Sequence, residues 1–218
     1  MQYKGVIFDL DGTLLDSLED LANCTNEVLR RRGFPSHALE EYKYFVGDGM
    51  YNLLLRALPR EQRQDDFIKK CVAEMKEEYG RHWADETCPY QNIPQLLSKL
   101  QEKGLKLAVL SNKPNEFAKI IVKKFFPGQF VEVAGERPGI PKKPDPRGAL
   151  AIAEKLQISP QELLYLGDTN TDMQTAVAAG MFPVGVLWGF REAEELLTSG
   201  AKVLIEKPLD LMQILSKG

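Results

Sequence analysis

Gly5-Val6-Ile7-Phe8-Asp9-Leu10-Asp11-Gly12-Thr13 is the stretch that decides the fold. A short apolar run stops at two carboxylates spaced two apart, and a glycine follows. Such a run is the pattern of a strand buried on both faces. Similar runs recur at 105–110, 130–134, 163–166, 184–187 and 203–205, and helical periodicity fills most gaps between them, at 94–102, 116–125, 146–156 and 173–179. This alternation predicts βαβ units and an α/β fold built on an open parallel sheet.

Residues 17–82 break the rhythm. They carry three helical patterns and no strand: 18–31, closed by Gly33 and Pro35; 39–58, interrupted at Gly47-Asp48-Gly49; and 61–79, followed by Gly80. The expected organisation is a core of residues 1–16 plus 83–218, with a helical domain of residues 17–82 inserted after the first strand. The segment 135–146 reads as an ordered loop.

With 218 residues, 44% hydrophobic and 27% charged, the chain has the composition of a packed globular protein. Its formal net charge of -3 gives no chain-wide attraction to nucleic acid or anionic membrane, so a small partner is expected. Cys24, Cys71 and Cys88 lack metal or redox spacing and read as free thiols. The run 5–8 is too brief for a signal peptide or a membrane span, so a cytoplasmic location is expected.

Three predicted strands end in a residue capable of chemistry: the first at Asp9, the second at Ser111, the fourth at Asp168. In an open parallel sheet these ends line one edge, where ligands bind. In extended backbone Asp9 and Asp11 share a face. Crowded carboxylates are costly without a cation, so Asp9, Asp11, Asp168 and Asp172 point to a bound metal, and all-oxygen ligation favours Mg²⁺. The alternative is that the two acids supply turn and capping groups around Gly12. Lys143 precedes Pro144-Asp145-Pro146, where Asp145 suits a helix cap and Pro146 a first helical position; it is either a phosphate ligand beside a helix amino terminus or a solvated loop lysine. Ser111-Asn112 could bond a phosphoryl oxygen or cap the turn at Asn115. Arg30-Arg31-Arg32 complements the helix dipole, His37 and His82 lack partners in sequence, and Trp188 and Phe190 read as packing residues.

Taken in order, Asp9-Leu10-Asp11-Gly12-Thr13, Ser111, Lys143 and Gly167-Asp168-Thr169-Asn170-Thr171-Asp172 resemble the motifs of the haloacid dehalogenase superfamily over essentially the whole chain. That resemblance implies a Rossmann-like three-layer sandwich with a helical cap. It implies an Asp9 nucleophile that becomes an aspartyl-phosphate, and Asp11 as general acid and then base. Mg²⁺ would be held by the Asp9 carboxylate, the Asp11 backbone carbonyl and Asp168, with Asp172 in support. Ser111, Asn112 and Lys143 would bind phosphate. Dehalogenases lack an acid at the position of Asp11, so a phosphoester is implied.

A narrower resemblance, to phosphoglycolate phosphatases, rests on Phe45-Val46-Gly47-Asp48-Gly49, Lys142-Lys143-Pro144-Asp145-Pro146 and Gly185-Val186-Leu187-Trp188-Gly189. Asp48 stands where that family commonly has Asn, and Gly47, Asp48 and Gly49 form either a substrate-selecting cap loop or a plain helix break. The implied activity is hydrolysis of a small phosphorylated metabolite. A sugar phosphomutase, a pyrophosphatase or a nucleotidase would share much of this pattern, whereas the intact Asp9, Asp11, Lys143 and Asp168 argue against a non-catalytic phosphate-binding module.

Overall fold

A computed structural model describes residues 3–216. The chain begins with β1 (Gly5–Phe8) and β2 (Leu15–Asp16). Four helices follow, α1 (Leu18–Arg31), α2 (Leu39–Phe45), α3 (Met50–Ala57) and α4 (Asp65–His82). The remainder alternates: β3 (Cys88–Pro89), α5 (Ile93–Glu102), β4 (Lys106–Pro114), α6 (Asn115–Phe125), β5 (Glu132–Glu136) and α7 (Arg147–Leu156). It closes with β6 (Leu163–Gly167), α8 (Asn170–Ala178), β7 (Phe182–Val186), α9 (Ala193–Thr198), β8 (Val203–Ile205) and α10 (Leu211–Ser216).

Six strands form one parallel sheet in the order β5-β4-β1-β6-β7-β8. β1 is central because all four of its residues are fully apolar or small and buried. Strand alternation then sorts side chains into two layers. Val6, Phe8, Leu107, Val109, Leu164 and Leu166 face α5, α6 and α10. Ile7, Ala108, Leu110 and Tyr165 face α7 and α8. The expected α/β three-layer architecture is present, with the helical segment α1–α4 inserted after the first strand.

The differences from expectation have local causes. β4 does not stop at Ser111 but continues to Pro114, because a register shift after Leu110 lets Pro114 pair with Glu136 of β5. The third helical pattern begins at Asp65, since Arg60–Gln62 forms a separate 3-10 turn after Pro59. α7 begins at Arg147 rather than Pro146, and Asp145 accepts the Arg147 N–H at 2.9 Å. α8 begins three residues earlier than its apolar pattern, capped by Thr169 and Asp172. The two-residue strands β2 and β3 are too short to leave any periodicity in sequence.

All three cysteines are free. Among the described residues, no helix is long and apolar enough to cross a membrane.

The inserted helices leave and rejoin the sheet domain through the antiparallel pair β2–β3. Beside it, the buried Asp20 of α1 accepts the Glu86 N–H at 3.0 Å, the Thr87 N–H at 2.9 Å and the Thr87 hydroxyl at 2.6 Å. Removing the carboxylate would strand the buried N–H and hydroxyl of Thr87, each of which carries a desolvation cost. Asp20→Ala is expected to lose about 2–4 kcal/mol in urea unfolding. A loss below about 0.5 kcal/mol, the range of ordinary surface substitutions, would show that the clasp is not structural.

Candidate active site

Asp9, Asp168 and Asp172 meet at the carboxyl ends of β1 and β6. The Asp9 N–H donates to the Leu166 carbonyl at 2.9 Å, which extends the ladder one residue beyond β1 and fixes where the side chain starts. Each of the three acids offers an oxygen within 4.8 Å of the others, and all three are buried. Asp168 Oδ1 accepts the Thr13 hydroxyl at 2.8 Å and its Oδ2 accepts the Phe190 N–H at 3.0 Å. Asp172 Oδ2 accepts both the backbone N–H and the hydroxyl of Thr169, at 3.1 and 2.6 Å. The Asp168 enclosure requires glycine at position 12, where φ is +82° and a Cβ would lie 2.2 Å from Asp168 Oδ2.

Lys143 reaches the same cluster from the loop before α7. Its Nζ donates to Asp172 Oδ1 at 2.6 Å and lies 2.8 Å from Asp9 Oδ1 as an ion pair. Asp9 Oδ1 nevertheless lacks a hydrogen bond of good geometry. Burial raises the Asp9 pKa well above its ordinary value, and Asp172 and Asp168 add to the rise while Lys143 opposes it. Burial and then Asp172 push Asp168 up to about 7. For Lys143, burial favours loss of the proton, yet Asp172 and Asp9 outweigh it and its pKa is raised.

Three carboxylates therefore face one ammonium, which leaves two negative charges uncompensated when all are ionised. An all-oxygen donor set and this charge deficit fit a hard divalent cation of the Mg²⁺ type.

Asp11 stands apart from the triad. Its Oδ1 accepts the Ser17 hydroxyl at 2.6 Å, and the Lys113 ammonium bonds Oδ1 at 2.8 Å and Oδ2 at 2.9 Å. Both Asp9 and Asp11 line the same pocket, as the strand spacing predicts, but the turn at Gly12 and the Lys113 clamp keep the Asp11 carboxylate out of the acidic cluster.

Of the other expected site residues, Ser111 is buried and lines the pocket. Asn112 lines it too, but its side chain is committed to a bridge. Nδ2 donates to the Gly47 carbonyl at 3.1 Å and to the Lys143 carbonyl at 3.2 Å, while Oδ1 accepts the Lys143 N–H at 2.8 Å. Gly47 and Gly49 form the pocket wall opposite the sheet, with Val46, Met50 and Leu53. The Asp48 side chain is instead paired with Arg56 of α3.

Sequence reasoning passed over Lys113, Ser17, Thr13 and the Phe190 amide. Lys113 had a signal: it sits two residues after Ser111 in extended backbone, so both belong to one face. The Phe190 amide had none, because a main-chain donor leaves no mark in composition. Trp188, read as a packing residue, also donates to the Thr13 carbonyl at 3.0 Å.

Residues 6–186 match the sequence model of the haloacid dehalogenase-like hydrolases. Phosphoglycolate phosphatases from Mannheimia succiniciproducens and Aquifex aeolicus are each 31% identical to this chain. The alignments cover 98% of the chain and 98% of the former, and 96% and 95% for the latter. The crystal structure of a candidate phosphoglycolate phosphatase from Lactobacillus delbrueckii subsp. bulgaricus superposes with a TM-score of 0.92 at 31% identity, covering 99% of both chains.

The charge deficit makes two coupled expectations. Mg²⁺ at about 100 times its Kd should stabilise the fold by about 2.7 kcal/mol, a rise of about 5–10 °C in Tm, and Asp168→Ala should abolish the rise. Without metal, the raised Asp168 pKa makes the folded state hold a proton that the unfolded chain has lost. That stability is fully present below the ordinary value of 3.8 and is lost as pH climbs through about 7. Protons and metal compete for the same oxygens, so the Mg²⁺-induced rise should be larger at about pH 8 than at about pH 6. Calorimetry showing an equal rise at both would remove the triad as the binding site.

Proposed function

We propose that this chain, which belongs to the haloacid dehalogenase-like hydrolase family and is a phosphoric monoester hydrolase, works through a phosphoenzyme on Asp9 and acts on a short, phosphoglycolate-like ester. The carrying observation is the division between the two acids. Asp9 sits in the metal-fitting triad, its Oδ1 paired only with the Lys143 ammonium. Asp11, at the pocket edge, is outside the triad and held by Lys113 and Ser17.

In this reading Asp9, Asp168 and the Asp11 backbone carbonyl hold Mg²⁺, with Asp172 in support. The metal supplies electrophilic stabilisation of charge on the phosphoryl oxygens. Ser111 and Lys143 bind those oxygens, and Lys143 also keeps the Asp9 carboxylate oriented. The Asn112 side chain fixes the loop that carries Lys143 through its bridge, which leaves the Asn112 main chain to face the phosphoryl oxygens. An Asp9 oxygen forms a bond to phosphorus while the bond from phosphorus to the leaving oxygen breaks, and Asp11 gives that oxygen its proton. Water then attacks phosphorus as Asp11 takes the water proton, the bond to Asp9 breaks and phosphate leaves. Covalent catalysis divides one hard displacement into two, and the positioned charges lower both barriers.

Residues 17–82 serve as a cap in this proposal. Gly47 and Gly49 press on the pocket, and closure excludes water during transfer. Support for the substrate class comes from the phosphoglycolate phosphatase relatives that align along the whole chain.

Steady-state phosphate release from a panel of esters, with and without Mg²⁺, tests the reading. Asp9→Asn should lose at least about 10³-fold in kcat with every ester. Near wild-type turnover in that variant would end the nucleophile assignment. Asp11→Asn should lose about 10²–10⁴-fold with alkyl esters, whose leaving oxygen needs a proton. With p-nitrophenyl phosphate it should instead give a burst of p-nitrophenol followed by slow turnover, because only the second step still needs the base. Equal losses on the two ester types would count against Asp11 as the acid.

A further inference from the structure

The last carbonyls of a helix have no partner within it and must be met from outside. At the end of α2 the Phe45 carbonyl is met by Arg56 of α3 at 2.9 Å, inside the helical segment. Neighbouring carbonyls are met from the sheet domain. Arg191 donates through Nη1 to the Lys43 carbonyl and through Nη2 to the Val46 carbonyl, the latter at 3.0 Å. Asn112 donates to the Gly47 carbonyl at 3.1 Å, and Lys142 Nζ lies 3.5 Å from the Asp48 carbonyl.

Arg191 lies on the loop between β7 and α9, and its side chain is only 7% exposed, although a charged group is costly to bury. Its Nε pairs with Glu195 at 3.3 Å, and the ring of Tyr44, an exposed aromatic of α2, lies 5.4 Å from the guanidinium carbon. The loop beneath it is tied down at the acidic cluster, since Phe190 donates its N–H to Asp168 and Trp188 donates to the Thr13 carbonyl. The turn that Arg191 grips lies close against the sheet domain. A Cβ on Gly47 would sit 3.3 Å from Thr169 Cγ2, and one on Gly49 would sit 3.2 Å from the Asn112 carbonyl oxygen. Val46, Gly47 and Gly49 of this turn also wall the pocket.

Resting on the reading of residues 17–82 as a cap over a phosphatase site, we propose that Arg191 is the latch of the closed cap and a positioning residue for substrate binding. Its planar fork spans two carbonyls at the end of α2, a geometry that a lysine ammonium does not reproduce. These bonds last only while the turn stays docked, so they weight the closed arrangement over the open one. Arg191 acts on the substrate through the wall it holds. A smaller closed fraction raises the apparent dissociation constant by the reciprocal of that fraction. Saturating substrate restores closure, so the chemical steps proceed at nearly their former rate.

Spin labels on Lys70→Cys in α4 and Glu154→Cys in α7, with Cys88→Ser removing the exposed native thiol, measure the distance between the helical segment and the sheet domain. With Mg²⁺ present, Arg191→Met should shift the closed-to-open ratio toward open by about tenfold or more. Arg191→Lys, which keeps the charge beside Glu195 but meets one carbonyl at a time, should fall between. In steady-state phosphate release KM should rise by the factor by which the closed fraction falls, with kcat changed by less than about twofold.

A distance distribution of Arg191→Met identical to the wild type would overturn the latch. So would a fall in kcat at unchanged KM, the mark of a role in chemistry through Phe190 and Asp168. If Arg191→Met does not fold, Arg191→Lys decides: a closed fraction equal to the wild type overturns the proposal. A wild-type protein that releases no phosphate would end the phosphatase reading instead, and the distance distributions would then decide the latch by themselves.

Discussion

Three carboxylates are forced together where the central strands end. Asp9 and Asp168 arrive there because β1 and β6 are hydrogen-bonded neighbours that terminate at one level, and Asp172 because it caps the helix that follows β6. Nothing in hydrophobic packing favours this convergence, since like charges in a buried setting repel strongly. The surrounding structure is arranged to tolerate it. Lys143 is carried in on a loop pinned by Asn112, Thr13 and the Phe190 amide donate to Asp168, and Thr169 donates twice to Asp172. The site is thus assembled from a sheet edge, a helix cap and two loops, each contributing a donor that offsets part of the repulsion.

Asp11 shows how two identical side chains two residues apart acquire different environments. Gly12 turns the chain after β1, and Ser17 and Lys113 then bind the Asp11 carboxylate on the pocket side. One acid is surrounded mainly by other acids, the other by a cation and a hydroxyl. Separation of environments of this kind is how paired carboxylates take on separate roles.

The sheet was legible because its strands are buried on both faces, so each appears as an apolar run with no need for alternation: 163–166 was read where β6 spans Leu163–Gly167, and 203–205 coincides with β8. The break at Gly47-Asp48-Gly49 likewise falls between α2 and α3, where Gly47 and Gly49 both have positive φ. Asp9, Ser111, Lys143 and Asp168 stood out because a reactive residue at a strand end or helix start is conspicuous against apolar neighbours. The extension of β4 beyond Ser111 was hidden, because the pairing with β5 skips polar residues 111–113 and resumes only at Pro114 in a shifted register. Lys113 left only its two-residue spacing from Ser111 as a signal, and the engagement of Asn112 with the helical segment left none, since it depends on a carbonyl 65 positions earlier.

The strand pair Leu15–Asp16 and Cys88–Pro89 brings the two ends of the intervening helical segment side by side, clasped by Asp20. Topologically, that pair is a socket. The sheet domain meets the segment there through two adjacent crossings, and none of the triad or its lysine comes from inside the segment. A change in the length of what is plugged into the socket would therefore leave the order of the parallel strands the same. The acidic triad with its lysine and the helical segment that walls the pocket are thus carried on separate stretches of one chain.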